Sequence, residues 1–265
     1  MLRDITIGRY VERSSALHRL DARSKIIGAL ICSILTLACS SFFSMAAIAA
    51  LTAAAALISH IPFNYILKGL KPIRWFILFT VIVNLISVGG TAVWQWSVFC
   101  ITAEGINAAA LIAARLILFV SSTSLLTLTT PPISLTDGFA RLMRPLRHLR
   151  IPVDDIAMMI SITLRSIPAF ADEADRIMKA QRARGADFSH GGLIARAKAI
   201  MPVTIPLFIS VFRRADELSL AMDARCYGKG TRTPRKKARF GRNDLYAFII
   251  MILFCGFLAI IEFYN

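Results

Sequence analysis

The sequence predicts an all-α integral membrane protein with about five transmembrane helices and long amphipathic cytoplasmic helices inserted before the last span. Two observations support this fold class. Residues 26–60 and 75–103 contain no Asp, Glu, Lys or Arg, although the 265-residue chain holds 31 Lys and Arg. Of these, 21 fall within 141–242 together with 9 of the 16 acidic residues, so that this stretch carries a net charge of +12. Apolar runs and basic charge are therefore separated along the chain.

The composition excludes several classes of protein. The chain is 56% hydrophobic and has a formal net charge of +15, whereas soluble domains are less apolar and better balanced in charge. Plentiful aliphatic and aromatic side chains argue against a disordered chain. Five cysteines form no C-x-x-C pair, so neither a disulfide framework nor a zinc site is expected.

Each transmembrane helix needs about 20 mostly apolar residues. The expected spans cover residues 24–39, 42–59, 73–88, 106–128 and 245–263. Ser40 and Ser41 alone separate the first two spans, which predicts a tight helical hairpin. Thr102 is the expected N-cap of the fourth span, and Pro131 with Pro132 ends it. The run 199–212 is too short to span and contains Pro202 and Pro206. We expect a buried or interfacial helix there rather than a sixth span.

Basic residues near the span ends predict the orientation. With five spans, the segment before span one, the loop with Lys68 and Lys71, and the basic body all fall on one side, which is expected to be cytoplasmic. The C-terminus is then outside. The polar first 25 residues do not resemble a secretory signal peptide. The expected division is 1–23 cytoplasmic segment, 24–130 spans one to four, 131–242 coupling helices and basic linker, and 243–265 last span.

The basic body reads as helices that prolines and glycines break. The stretch 135–149 fits an interfacial amphipathic helix, or else a solvated basic face over a helix contact. A longer helix is expected to begin near Pro152 and end at Gly185. Another covers about 193–227, with Gly228 past its end.

The two long helices end in related sequences. Residues 174–185 align without a gap to 215–226, at an offset of 41, with five of twelve positions identical. Arg184 and Arg225 are equivalent in this repeat, and each follows an alanine. Two equivalent ends suggest docking to two equivalent partners, since a guanidinium presents a rigid fork of donors. The alternative is that each arginine caps its own helix.

At these residues the sequence resembles the transmembrane T component (EcfT family) of energy-coupling factor transporters. The resemblance covers nearly the whole chain and rests on the stretches LHRLDARSK (17–25), SLLTLTTPPISLTDG (124–138), QRARGADF (181–188) and RRADELSLAMDAR (213–225). It favours the shared type, which serves several substrate-binding subunits, over a dedicated biotin or cobalt/nickel system.

The resemblance implies a non-catalytic subunit of an ATP-driven importer of vitamins or other micronutrients in the bacterial cell (plasma) membrane. Its partners would be membrane lipid, a substrate-binding S component and two ABC ATPase subunits (EcfA-type), with no nucleic acid. The residues it assigns to ATPase docking are Ala183, Arg184, Gly185, Ala224, Arg225 and Cys226. Cys226 replaces the common glycine, which leaves its backbone geometry open. Contact with the substrate-binding subunit is expected from the apolar faces of the two helices, at Ile160, Leu164, Ile167, Phe208 and Phe212.

No phosphate-binding loop occurs in the chain, so no cofactor or metal is expected on it, and ATP and Mg would be bound by the partner ATPases. Arg115 lies inside the fourth span, where a charge is costly. We expect a structural role, with hydrogen bonds to span-end carbonyls or to hydroxyls such as those of residues 121–124, rather than contact with substrate.

Two functions from other classes remain as alternatives. A membrane-embedded prenyl or phosphatidyl transferase needs clustered aspartates for metal-bound diphosphate, for which Asp154, Asp155, Asp172 and Asp175 are the only candidates considered. A membrane-anchored nucleic-acid binder could use the basic run 232–242, although attraction to anionic lipid explains that run more simply.

Overall fold

The computed structural model describes residues 13, 15–89, 91–96, 99–186, 192–228 and 241–264. The described residues up to 153, together with 241–264, form one compact unit, and the described residues from 154 to 228 form a second. Helices dominate both units, which confirms the predicted fold class. The predicted four-part division of the chain stays a prediction.

The first unit contains most of the apolar helices. These are α1 (Ala22–Ala38), α2 (Phe42–Ile58), α3 (Phe63–Leu70), α4 (Arg74–Ser87), α5 (Ala103–Thr129), α6 (Pro132–Leu142) and α9 (Arg242–Tyr264). A short antiparallel hairpin of β1 (Ala92–Trp96) and β2 (Phe99–Thr102) joins α4 to α5. Its pairing is irregular between Ala92 and Trp94. Two long helices, α7 (Val153–Ala183) and α8 (Leu193–Ala224), account for the second unit.

The apolar helices differ in their ability to cross a bilayer alone. In the described part of the chain, α5 and α9 are long and apolar enough. The pair α3 and α4 passes the same criterion only when taken together, and it is bent by 63°. The helix α2 is apolar but has 17 residues. The described residues thus support two or three spans by length and composition, and the five-span count stays a prediction.

Local sequence explains where several helices begin. The Asp21 side chain accepts a hydrogen bond from the Arg23 backbone N–H at 3.1 Å and so caps α1. Thr102 caps α5 as predicted, because its hydroxyl accepts from the Gly105 N–H at 3.1 Å. The same hydroxyl donates to the Val88 carbonyl at 2.7 Å, which ties the end of α4 to the start of α5.

The core of the first unit is built around α5. One buried cluster joins α1, α2, α5 and α9 through Cys39, Met45, Ile48, Leu118 and Leu258. A second joins α2, α3 and α5 through Ala56, Ile61, Ile66 and Leu128. Since α5 contributes to both clusters, it is the central helix on which the others pack.

Two hydrogen bonds fix the register of α1 against α5. The Lys25 ammonium donates to the Thr129 carbonyl at 3.0 Å, and the Arg115 guanidinium donates to the Cys39 carbonyl at 2.8 Å. Both contacts are 14 residues apart on each helix, so α1 and α5 run antiparallel.

The helix α9 runs parallel to α1, and the two are joined at both ends. The Asp21 backbone N–H donates to Asp244 Oδ1 at 2.9 Å, and the Ser40 backbone N–H donates to Glu262 Oε1 at 2.9 Å. Asp244 also accepts from the Gly241 N–H at 2.9 Å, as the third helical residue does in a capping box. The starts of α1 and α9 therefore lie side by side.

Three sequence-based boundaries need correction. The single helix expected over 135–149 is wrong, since α6 ends at Leu142 and a 3₁₀ helix covers Arg144–Leu149. Pro145 has no N–H to bond the Arg141 carbonyl, so an α-helix cannot continue through it. The loop between spans two and three contains the helix α3. The last helical residue of α8 is Ala224, three residues before the expected end.

Candidate docking ends and the intramembrane arginine

The end of α7 is a Schellman motif. The Gly185 N–H donates to the Arg182 carbonyl at 2.9 Å, and the Ala186 N–H donates to the Gln181 carbonyl at 3.0 Å. Gly185 has φ +88°, in the left-handed region that glycine adopts without a Cβ penalty. Arg184, the last residue before this turn, is exposed.

The end of α8 has the same hydrogen bonds. The Cys226 N–H donates to the Asp223 carbonyl at 2.9 Å, and the Tyr227 N–H donates to the Met222 carbonyl at 3.0 Å. Every donor and acceptor is shifted by the 41 residues of the sequence repeat. Cys226 has φ +56°, so the cysteine holds the left-handed conformation that its side chain left open. Arg225 is exposed, as is Arg184.

The guanidinium groups of Arg184 and Arg225 are not used in capping their own helices. Among the residues that the structure describes, neither group makes a hydrogen bond or an ion pair. The backbone N–H groups after each arginine satisfy the terminal carbonyls instead. Both donor forks are consequently free to meet an acidic group or a carbonyl from outside the described chain.

The two helices run in opposite directions, which separates their ends. The Gln181 amide donates to the Pro202 carbonyl at 3.4 Å, and the Arg214 guanidinium lies 5.9 Å from the Phe170 ring centroid. The contact later in α7 thus meets the earlier part of α8. Arg225 follows Pro202 by 23 residues, which corresponds to about 35 Å of helix. The two arginines are therefore at opposite ends of the helix pair.

Prolines interrupt the hydrogen-bond ladders of both helices. Pro168 lies inside α7, and Pro202 and Pro206 lie inside α8. Pro206 has no N–H for the carbonyl four residues earlier, which belongs to Pro202. That freed carbonyl is the one that accepts from Gln181. The final turn of α7 is thereby linked to the proline-interrupted segment of α8.

The residues expected to contact a substrate-binding subunit are only partly exposed. Phe208 and Phe212 are 58% and 65% exposed and stack at 6.3 Å. Ile160 is also exposed, whereas Leu164 and Ile167 are half-buried. The exposed apolar face of α8 extends further toward its N-terminus than the sequence prediction, through Ile200 and Met201. Their helical spacing from Ile205 and Phe208 was the signal for this extension.

Arg115 has its partner at the end of another helix. It donates to the carbonyl of Cys39, the C-cap residue of α1, and its Nε atom is buried without a partner among the described residues. The hydroxyl of Ser122 bonds the carbonyl of Phe119 in its own helix, so the expected hydroxyl partner in 121–124 is not observed. Arg115 is 14 residues from Thr129, or about 21 Å along α5.

The depth of Arg115 lowers the cost expected for a charge in the middle of a span. In the middle of α5 by sequence, it is level with the turn between α1 and α2. Glu262 binds the same turn, where it accepts from the Ser40 hydroxyl at 2.6 Å and the Ser44 hydroxyl at 2.9 Å. A cation close to the end of two neighbouring spans can be solvated more easily than one at the bilayer centre.

The described residues contain no group of three or more His, Cys, Asp or Glu that could hold a metal ion. Cys32, Cys39, Cys226 and Cys255 are free thiols. Asp154 and Asp155 lie in the first turn of α7, where carboxylates favour the helix dipole. The described part of the chain therefore offers no clustered carboxylates for the transferase alternative.

Comparison with known proteins identifies the family. A model of the family described as "Cobalt transport protein" matches residues 13–236. The "Energy-coupling factor transporter transmembrane protein EcfT" of Ruminiclostridium cellulolyticum is 47% identical over 264 residues, which cover 99% of each chain. Proteins of the same name from Clostridium kluyveri and Bacillus subtilis are 44% and 38% identical, covering 96% and 97% of this chain and 96% and 98% of their own. The chain therefore belongs to the EcfT family, the transmembrane T components of energy-coupling factor transporters.

Proposed function

We propose that the chain is the coupling subunit of an ATP-driven importer of vitamins or other micronutrients. It links two ABC ATPases to a substrate-binding membrane subunit. The observation that carries this proposal is the equivalence of the two ends, at 181–186 and 222–227, in both hydrogen bonding and exposed arginine.

The positions of the two ends favour two partners over one. Each end offers a guanidinium with no partner among the described residues, preceded by Ala183 or Ala224, whose small side chains allow close approach. The ends are separated by about 35 Å of helix. Two copies of similar ATPase subunits, each with an acidic or carbonyl-lined groove, would match this repeat. In this assembly Gly185 and Cys226 hold the turn that projects each arginine.

The apolar faces of α7 and α8 suit contact with the substrate-binding subunit. Stacked Phe208 and Phe212, together with Ile160, expose aromatic and aliphatic area that a polar solvent does not favour. Movement of the ATPases would shift Arg184 and Arg225, and the long helices would carry that displacement to these faces. Leu164 and Ile167 would contribute where Pro168 interrupts α7.

The proposed orientation places the N-terminal segment, α7 and α8 in the cytoplasm and the C-terminus outside. The parallel packing of α1 and α9 supports it for the spans, because Asp21 and Asp244 then lie on the same side. ATP and Mg would be bound by the ATPases, since this chain has no phosphate-binding loop. The proposed subunit is thus non-catalytic.

A dedicated system for cobalt/nickel or biotin is the alternative substrate class. The matching family model carries the description "Cobalt transport protein", which favours a metal cargo, while the sequence contexts of the two Ala-Arg motifs favour the shared type. Affinity purification from the native membrane distinguishes them. Several different substrate-binding subunits co-purifying in separate complexes would indicate the shared type, and a single one the dedicated type.

The docking proposal is tested by replacing Arg184 and Arg225 together with alanine. Hydrogen bonds to charged groups contribute about 1.5–3 kcal/mol each, so loss of both should reduce ATPase co-purification more than about tenfold and abolish coupled uptake. The matched control is Arg176→Ala with Arg213→Ala, which removes two exposed charges from the same helices. Co-purification and uptake that survive the first pair of substitutions, or fail equally with the second, would contradict the proposal.

A further inference from the structure

The bent pair α3 and α4 carries a basic and aromatic surface that the docking function does not use. We call it the α3–α4 collar, and it consists of Tyr65, Lys68, Lys71, Arg74 and Trp75. All five side chains are exposed. Because α3 and α4 meet at 63°, the collar lies at the break between a short amphipathic helix and an apolar one.

Cations and aromatic rings are paired within the collar. The Lys68 ammonium lies 5.3 Å from the centroid of the Tyr65 ring, and the Arg74 guanidinium lies 5.5 Å from the centroid of the Trp75 ring. A cation over a ring face keeps its charge and most of its donors available to a further ligand. Tyrosine and tryptophan also favour the interface between lipid and water.

The collar contains no negative charge that would neutralise it. No Asp or Glu occurs between residues 60 and 103. Within the part of the chain that the structure describes, Lys68, Lys71 and Arg74 form no ion pair. A ligand for the collar is therefore expected to be anionic.

Apolar side chains on both sides of the collar indicate where the anion resides. Phe63 and Leu67 are exposed on α3, and Phe76 and Phe79 are exposed on α4. The opposite face of α3 is anchored, because Ile66 is buried against Leu128 of α5. Gly69 lies so close to α5 that a Cβ would meet Ser124 Oγ at 2.6 Å. A fixed helix with exposed apolar residues beside unpaired cations is typical of a protein surface in the headgroup region of a bilayer.

We propose that the α3–α4 collar binds the phosphate groups of anionic phospholipids. Lys68, Lys71 and Arg74 contact the headgroups, while Tyr65 and Trp75 lie at the boundary with the acyl chains. Charge complementarity selects this occupant over zwitterionic lipid. An acidic segment of a partner protein is the competing occupant, and it lacks the acyl chains that would cover Phe76 and Phe79.

The test uses the full chain in nanodiscs of phosphatidylcholine with a graded fraction of phosphatidylglycerol, followed by mass spectrometry of the retained lipid. The charge-removing variant is Lys68→Gln, Lys71→Gln and Arg74→Gln. Each basic residue near an anionic surface contributes about a fivefold preference, so this variant should lose the preference for phosphatidylglycerol by at least about tenfold. The charge-conserving variant Lys68→Arg, Lys71→Arg and Arg74→Lys should retain it.

Net charge is controlled with Arg176→Gln, Lys179→Gln and Arg213→Gln, three exposed cations on α7 and α8. This control should keep the preference, as should its folding, which melting in pure phosphatidylcholine checks for every variant. The proposal is overturned if the collar variant keeps the preference, if the control loses it equally, or if the charge-conserving variant loses it. It is also overturned if an acidic protein co-purifies and phosphatidylglycerol does not compete with it.

Discussion

The ends of α7 and α8 have the same hydrogen bonds but different residues at the left-handed position. Gly185 occupies it in α7 with φ +88°, and Cys226 occupies it in α8 with φ +56°. In both cases the following N–H reaches back to the carbonyl five residues earlier, from Ala186 or Tyr227. The hydrogen-bond pattern, rather than the glycine, is thus the shared property of the two ends.

This difference separates the geometry of the end from its stability. A residue with a Cβ in the left-handed region costs about 1–2 kcal/mol relative to the right-handed one. Cys226 bears that cost and Gly185 does not. We therefore expect the end of α8 to open more readily than the end of α7, although both present an arginine in the same way.

The largest effect is expected when the advantage of the first end is removed. Gly185→Ala adds a Cβ at φ +88°, and no atom lies within 4 Å of it, so the penalty comes from the backbone alone. Local opening of the α7 end should become easier by about 1–2 kcal/mol, which corresponds to about tenfold faster amide exchange at Gly185 and Ala186. Hydrogen exchange followed by mass spectrometry of the peptide measures this change.

The matched substitution at the second end is Cys226→Ala. Since cysteine already has a Cβ, this change should leave exchange at Cys226 and Tyr227 nearly unchanged. Equal acceleration at the two ends would mean that the difference between glycine and cysteine has no energetic consequence.

The sequence predicts these ends well because their determinants are local. The repeat of 174–185 in 215–226 and the positions of Gly185 and Gly228 are visible within a few residues, and the spans follow from uninterrupted apolar runs. The α3 helix was missed because it has eight residues, and its stability depends on burying Ile66 against α5. The partner of Arg115 was missed because Cys39 is 76 residues away, and helical periodicity carries no information on register between helices.

A second, smaller effect is expected from making the ends alike in the opposite direction. Cys226→Gly removes the Cβ penalty at φ +56°, and the greater freedom of glycine in the unfolded chain offsets part of the gain. Opening of the α8 end should become harder by about 0.5–1 kcal/mol, which is seen as roughly threefold slower amide exchange at residue 226 and Tyr227.

The control for loss of the thiol is Cys226→Ser, which retains a Cβ. Exchange in this variant should match that of the unmodified chain. Should serine slow exchange as much as glycine does, the effect would belong to the thiol and not to the backbone.

The smallest effect concerns the one polar contact that the first end makes with the other long helix. Gln181 donates to the Pro202 carbonyl at 3.4 Å, whereas Met222 occupies the equivalent position at the second end. Gln181→Met makes the two ends more similar and removes this donor. The contact is long and exposed, so water replaces it, and the end of α7 should open only about 0.5 kcal/mol more easily.

The cause can be isolated with Pro206→Ala, because alanine restores the N–H that bonds the Pro202 carbonyl within α8. In this background the carbonyl has its own partner, so Gln181→Met should have a smaller effect on exchange at Gly185 and Ala186. A double-mutant cycle gives the coupling directly. Zero coupling would show that Gln181 does not act through the carbonyl freed by Pro206, and that proline interruption of α8 is independent of the α7 end.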